Sequence, residues 1–266
     1  MTHPAYGELR PVTPLASVLL ARNPSPMTLE GTNSWVLRAP GVEECVVIDP
    51  GDEDDAHLRR VADQGPVALV LLTHRHHDHA GGARRFAELT GAPVRALDPS
   101  LVLGSEALAH GDVVAAAGVE LRVVGTPGHT SDSLSFLLDG PGADAPVVLT
   151  GDTILGRGTT VIAHPDGSLG PYLDSLRLLA DLAPGTAVLP GHGPELADAP
   201  AVAAAYLAHR EERLEQVRAA LVKLGTDATA QQVVELVYAD VDEILWPAAE
   251  LSVRAQLDYL LEHGLI

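Results

Sequence analysis

The feature that most restricts this chain is a repeated junction: an apolar run of strand length stops at a turn that carries glycine with histidine or aspartate. "PVALVLL" (66–72) runs into "THRHHDHAGG", "VELRVV" into "GTPGHT" with His129, "APVVLT" into "GD" with Asp152, and "TAVLP" into "GHG" with His192. A continuous apolar run marks a strand buried on both faces. Side chains on the loops at one edge of a sheet converge in space while remaining far apart in sequence. His74 and His76 are two residues apart, which points them to one side of an extended segment but to opposing faces of a helix. They therefore belong to a loop after a strand, and Asp78 and His79 open the helix that follows. The glycines at 128, 151, 191 and 193 suit backbone turns that pass close to a crowded centre.

The junctions gather His74, His76, His79, His129 and His192 with Asp78 and Asp152. Imidazole and carboxylate suit zinc, and also iron or manganese. Seven such groups exceed what one tetrahedral ion uses, so two divalent metal ions are expected, with Zn2+ the first choice. A carboxylate shared between them would hold the pair roughly 3.5–4 Å apart, the spacing at which one hydroxide serves both.

H-x-H-x-D-H followed by spaced His, Asp and His resembles the metallo-β-lactamase superfamily, over residues from about 28 to 195. "MTLEGTNSWVL", "TPGHTSDS", "GDTILGRGTT" and "LPGHGP" are similar to the β-lactamase-like protein 2 group, with hydroxyacylglutathione hydrolase a more distant relative. The resemblance implies an α/β fold, the αββα sandwich, with two mixed sheets between outer helices. It implies that His74, His76 and His129 bind one metal, that Asp78, His79 and His192 bind the other, and that Asp152 bridges. It disfavours β-lactam hydrolysis, because zinc lactamases typically carry Cys where this chain has Asp152.

After about residue 196 the composition turns helical. "APAVAAAYLAHREERLEQVRAAL" contains no glycine, Thr229 is placed as the N-cap of a run carrying Val233, Val234 and Val237, and a last helix is expected to bury Leu257, Leu260 and Leu261. Two domains are expected: 1–195, catalytic, and 196–266, a helical unit that resembles a winged helix but lacks an evident wing.

Other residues carry weaker signals. Cys45, the only cysteine, lies in the apolar "CVVID" and reads as core. Asn33, in "GTN", is a candidate substrate contact or a turn-stabilising residue. Asp49, closing "CVVID", is expected to orient a ligand histidine. His164 is a candidate proton donor at the cleft, His77 is expected to point away from the metals, and His3, His57, His110, His209 and His263 are expected at exposed positions or helix ends.

A formal net charge of -19 disfavours DNA and anionic membranes as partners. The N-terminus has neither a basic nor an apolar leader region and no apolar run is long enough to span a bilayer, so a soluble, cytoplasmic protein is expected. The function expected first is a dinuclear metal-dependent hydrolase, in which a metal-bridging hydroxide, oriented by Asp78, attacks a small acyl substrate, a thioester or ester. A thiolate, with a free-thiol pKa near 8.5, leaves without a general acid. The alternative implied by the resemblance is an endoribonuclease acting on single-stranded RNA. Residues 201–266 carry five basic against eleven acidic side chains, which leaves Arg84, Arg85, Arg157 and Arg210 to form a local phosphate path. A third reading is a non-enzymatic partner-binding module with an inert, metal-stabilised sandwich.

Overall fold

The structure is a computed structural model that describes residues 6–138 and 145–266; His3 lies outside the described residues. The first half of the chain forms β1 (Arg10–Pro11), β2 (Ala16–Leu20), β3 (Asn33–Leu37), β4 (Cys45–Ile48), α1 (Asp55–Ala62), β5 (Val67–Leu71), α2 (His77–Ala80), α3 (Ala83–Thr90) and β6 (Val94–Arg95). The second half forms β7 (Val113–Ala116), β8 (Val119–Gly125), β9 (Leu134–Leu138), β10 (Val147–Gly151), α4 (Leu169–Ala180), β11 (Ala187–Pro190), α5 (Ala199–Leu224), α6 (Ala230–Val237) and α7 (Trp246–Glu262).

Two mixed sheets result, ordered β1-β2-β3-β4-β5-β6 and β11-β10-β9-β8-β7. Period-two alternation divides their apolar side chains between two environments. Trp35, Leu37, Val46, Ile48 and Leu71 face the other sheet and meet Leu121, Val123, Phe136 and Leu149. Val36, Cys45, Val47 and Val70 face outward and lie beneath Leu58 and Val61 of α1 and Phe86 of α3. On the other side Val148 and Val188 pack under Leu169, Tyr172 and Leu176 of α4 and Tyr206 of α5. Both faces of the central strands are thus covered, which is why their sequences read as unbroken apolar runs. The layers are helix, sheet, sheet, helix: the αββα sandwich.

Strand direction decides where the chemistry gathers. β4 and β5 are parallel, as are β10 and β11, and β8 shares the sense of β10 through the antiparallel β9 between them. The C-terminal ends of these strands lie at one edge, and each leads into a His- or Asp-bearing loop. β3 runs antiparallel to β4, so its N-terminal end, with Thr32 and Asn33, lies at the same edge.

Helix α5 is shared. Its first half, through Ala199, Ala203 and Tyr206, belongs to the layer over the second sheet; its second half, through Val217 and Leu221, joins Val233 and Val234 of α6 and Val253 and Leu260 of α7 in a separate cluster. α6 opens with a capping box in which Thr229 Oγ1 accepts from the Gln232 N–H and the Gln232 side chain accepts from the Thr229 N–H. Among the described residues no strand follows β11, and no helix is long and apolar enough to cross a membrane.

Two burial expectations are corrected. Leu261 is 62% exposed although Leu260 is fully buried, because successive helical residues turn by about 100°. His57 is not exposed: it lies on the inner face of α1 beside Leu58 and Val61, and its Nε2 is 2.9 Å from Ser34 Oγ.

Candidate metal centre

All seven ligand-type side chains meet at the strand-end edge. His74 follows β5 by way of Thr73, His76 caps the short helix α2, and Asp78 and His79 lie within it. His129 comes from the loop after β8, Asp152 directly follows β10, and His192 follows β11. Three groups each have their ligand atoms within 4.8 Å of one another: His74, His76 and His129; His74, His79 and Asp152; Asp78, His79 and His192. The groups overlap through His74 and His79, so they describe one centre.

The ring orientations follow from what the remote nitrogens bind. Thr73 Oγ1 is 3.0 Å from His74 Nδ1, Asp49 Oδ2 is 2.8 Å from His79 Nδ1, the Val161 carbonyl is 2.6 Å from His129 Nδ1, and the Gly31 carbonyl is 3.1 Å from His192 Nδ1. These four histidines therefore turn Nε2 inward. His76 alone presents Nδ1, 3.1 Å from His74 Nε2 and 3.0 Å from His129 Nε2.

The donor set fits divalent metal on two observations. Asp152 Oδ1 is buried with no hydrogen-bond partner, a costly condition for a carboxylate oxygen. The second is a proton conflict. Burial works against protonating His192, but Asp152 and hydrogen bonds to Asp152 and Asp78 carry its pKa up to about 9; His79, opposed by burial in the same way, is raised by Asp152, Asp78 and Asp49. Yet His79 Nε2 and His192 Nε2 face each other at 3.2 Å and cannot both carry protons. Positive charge that brings no proton removes the conflict. On the other side of the cluster burial holds His74 and His76 below the usual range and His129 down to about 4, so all three rings are neutral, the form that ligates metal.

Asp49 does more than orient one ring. It accepts from the Thr73 N–H at 2.8 Å and from Thr73 Oγ1 at 2.6 Å as well as from His79, and it has a left-handed φ of 52°. Through Thr73 it also reaches His74. Thr73 is an anchor that its sequence neighbours gave no reason to single out. Crowding demands glycine at two turns: a Cβ on Gly191 would lie 2.6 Å from Asp152 Oδ1, and one on Gly151 would lie 2.6 Å from Thr73 Oγ1.

A cavity of about 300 Å³ opens on His129 and Asp152 and is walled by Met27, Leu29 and Leu155 together with Tyr238, Val241 and Leu245 from the segment between α6 and α7. Asn33 does not face it. Asn33 is buried, and its Nδ2 donates to the carbonyls of Pro190 and Gly193 at 3.0 and 2.9 Å, which ties the His192 loop to β3 and engages both amide N–H groups. His164 Nε2 is 2.9 Å from Asp258 Oδ2 on α7, and His164 is not in the cavity wall. His209, expected at the surface, is half-buried and lines the cavity. His77 points away and meets Asp52 at 2.9 Å. The four arginines do not form a path: Arg84 and Arg85 lie on α3, with Arg85 paired to Asp55, while Arg157 pairs with Glu30 and Arg210 is buried.

This arrangement defines a class, and comparison with known proteins names it. The pattern described as Metallo-beta-lactamase superfamily matches residues 27–192, and that of the Beta-lactamase associated winged helix domain matches residues 229–266. The chain belongs to the metallo-β-lactamase superfamily. It is 33% identical to the Beta-lactamase-like protein 2 homolog of Drosophila melanogaster, over 92% of this chain and 87% of that one. It is also 33% identical to Thioesterase pkgB of Emericella nidulans, over 76% of this chain and 57% of that one. Among solved structures, a Beta-lactamase domain protein from Burkholderia ambifaria superposes with a TM-score of 0.80 at 26% identity, covering 99% of this chain and 91% of that one.

Proposed function

We propose that this chain is a dinuclear metal-dependent hydrolase that cleaves a small acyl substrate, a thioester or ester. In this reading His74, His76 and His129 would hold one divalent ion, Asp78, His79 and His192 would hold a second, Asp152 would serve both, and zinc is the expected metal. The observation that carries it is the meeting of three overlapping triads of ligand atoms with an apolar-walled cavity. Divalent ions bound there would polarise an acyl carbonyl and lower the pKa of water from 15.7 toward about 7.

The side chains divide the remaining work. Asp78 is more open than Asp152, with 26% against 10% of its side chain exposed. Burial works against its charge, but His79 and His192 hold its carboxyl well below the usual range, so it stays ionised. It is thereby suited to accept a hydrogen bond from an attacking water, and Thr32 Oγ1, 3.3 Å from its Oδ2, helps fix it. The apolar wall keeps bulk water from the acyl group. A thiolate is the leaving group expected first, since a thiol of pKa near 8.5 departs unprotonated. The relative named a thioesterase supports the same substrate class. Residues 1–195 would carry the chemistry, and 196–266 would complete the substrate wall.

The test is release of free thiol from a set of aryl and alkyl thioesters by the zinc-loaded protein, beside Asp78→Asn. Turnover that falls by about 10²–10⁴-fold in the variant is the expected result. Turnover of no ester or thioester, together with cleavage of a single-stranded RNA that Asp78→Asn abolishes, would overturn it.

A further inference from the structure

The cavity wall is largely apolar, and α5 contributes two guanidinium groups to it, Arg210 and Arg213. In a chain with 36 acidic against 17 basic side chains, neither is paired with a carboxylate among the described residues. Arg157, on the same wall, is by contrast held by Glu30. Arg210 is only 4% exposed; its one hydrogen bond goes from Nη2 to the Thr160 carbonyl, its Nε has no partner, and its Cζ lies 5.2 Å from the centre of the Tyr172 ring. Arg213 is half-buried, donates from Nη1 to Gln216 and the Val237 carbonyl, and lies 4.3 Å over the ring of Tyr238.

Arginine keeps its charge in proteins, and an enclosed charge is costly unless an anion accompanies it. Glu211 and Glu212, the nearest acids in sequence, are exposed and pair with neither arginine. Asp152, in the same cavity, is engaged with His79, His129 and His192. Tyrosine faces and backbone carbonyls orient the two cations without neutralising them.

We infer that Arg210 and Arg213 form an anion subsite, and that the substrate joins an apolar body, seated against Leu155, Val241 and Leu245, to an anionic group of the carboxylate type. For the bond that reacts, the inference rests on the acyl-hydrolase reading. The anionic group belongs either to the acyl part or to the leaving thiol, and a cavity of about 300 Å³ sets the scale of a small molecule.

Uncleavable thioether analogues test it in three matched forms: neutral, with a carboxylate at the acyl end, and with a carboxylate at the thiol end. Their binding to the metal-loaded protein is measured by calorimetry, beside Arg213→Gln and the more conservative Arg210→Lys, each with its thermal midpoint. One acidic form is expected to bind about 10- to 100-fold tighter than the neutral one, the range of a charge-assisted hydrogen bond, with most of that advantage lost in Arg213→Gln. Which form it is identifies the end that carries the anion. Equal binding of all three, or an advantage that both variants retain in full, overturns the subsite. Binding is read without turnover, so failure here leaves the hydrolase reading standing, and failure of that reading leaves the binding result decisive.

Discussion

Asp49 and His79 are joined by a 2.8 Å contact between Oδ2 and Nδ1, with 2% and 0% of their side chains exposed. This buried carboxylate fixes which nitrogen His79 turns toward the centre and, through Thr73, does the same for His74. Asp49→Asn is the informative change, because Asn tolerates the left-handed backbone while its amide cannot accept from all three donors. Metal affinity, measured by chelator competition, should fall about 10- to 100-fold, with little change in secondary structure. An unchanged affinity would remove Asp49 from the support of the centre.

Gly191 and Gly91 offer a paired comparison. A Cβ at Gly191 would meet Asp152 and His79 at 2.6 and 2.7 Å, whereas one at Gly91, where φ is 74°, meets nothing within 4 Å. Gly91→Ala should cost only the left-handed penalty, about 1–2 kcal/mol in a denaturant titration. Gly191→Ala should lower bound metal per chain in elemental analysis, because the new methyl displaces Asp152 and His79, two of the proposed ligands.

Ser252 connects the C-terminal helices to the centre. Its Oγ accepts from the Ile162 N–H at 3.1 Å, next to the Val161 carbonyl that orients His129. Ser252→Ala leaves that buried N–H unpaired, at a cost of about 1–3 kcal/mol. Bound Co2+ should report the disturbance as a shifted visible spectrum. A spectrum identical to that of the parent protein, at reduced stability, would mean that the helices support the fold but not the ligand.

His57 gives a pH dependence of known sign. Burial pulls it from 6.5 down to about 4, with Asp54 opposing and Arg60 adding to the effect. Between these values the unfolded chain binds a proton that the folded chain does not. Its contribution is therefore fully present above pH 6.5 and is lost as pH falls toward 4, up to about 3 kcal/mol. His57→Gln, which can keep a hydrogen bond to Ser34, should flatten the slope of the urea midpoint between pH 6.5 and 4.5. Parallel slopes for the two proteins would count against this assignment.

Much of the candidate centre was legible in the chain because few residue types offer the atoms that ligate metal. His74, His76, Asp78, His79, His129, Asp152 and His192 stand out by residue type and by their place after strand-like runs. Asn33 and His164 read as candidates on neighbourhood alone, and the fold turned each toward a partner inside the protein. Val161 and Gly31 left no signal, since both act through a backbone carbonyl that any residue carries. His209 and His57 lie on helices, where only the packing of one face against its neighbours decides which residues are enclosed.

The sequence by itself determined the strand ends, the candidate ligand set and the layered fold, because apolar period and residue type are local properties. The tertiary structure decided the rest. It chose Nδ1 for His76 and Nε2 for the other four rings, brought α5 and the C-terminal helices against the cavity, and left Arg210 and Arg213 without a paired acid among the described residues. The reason is physical: hydrogen-bond geometry and the pairing of charges depend on atoms that meet only when distant segments pack together.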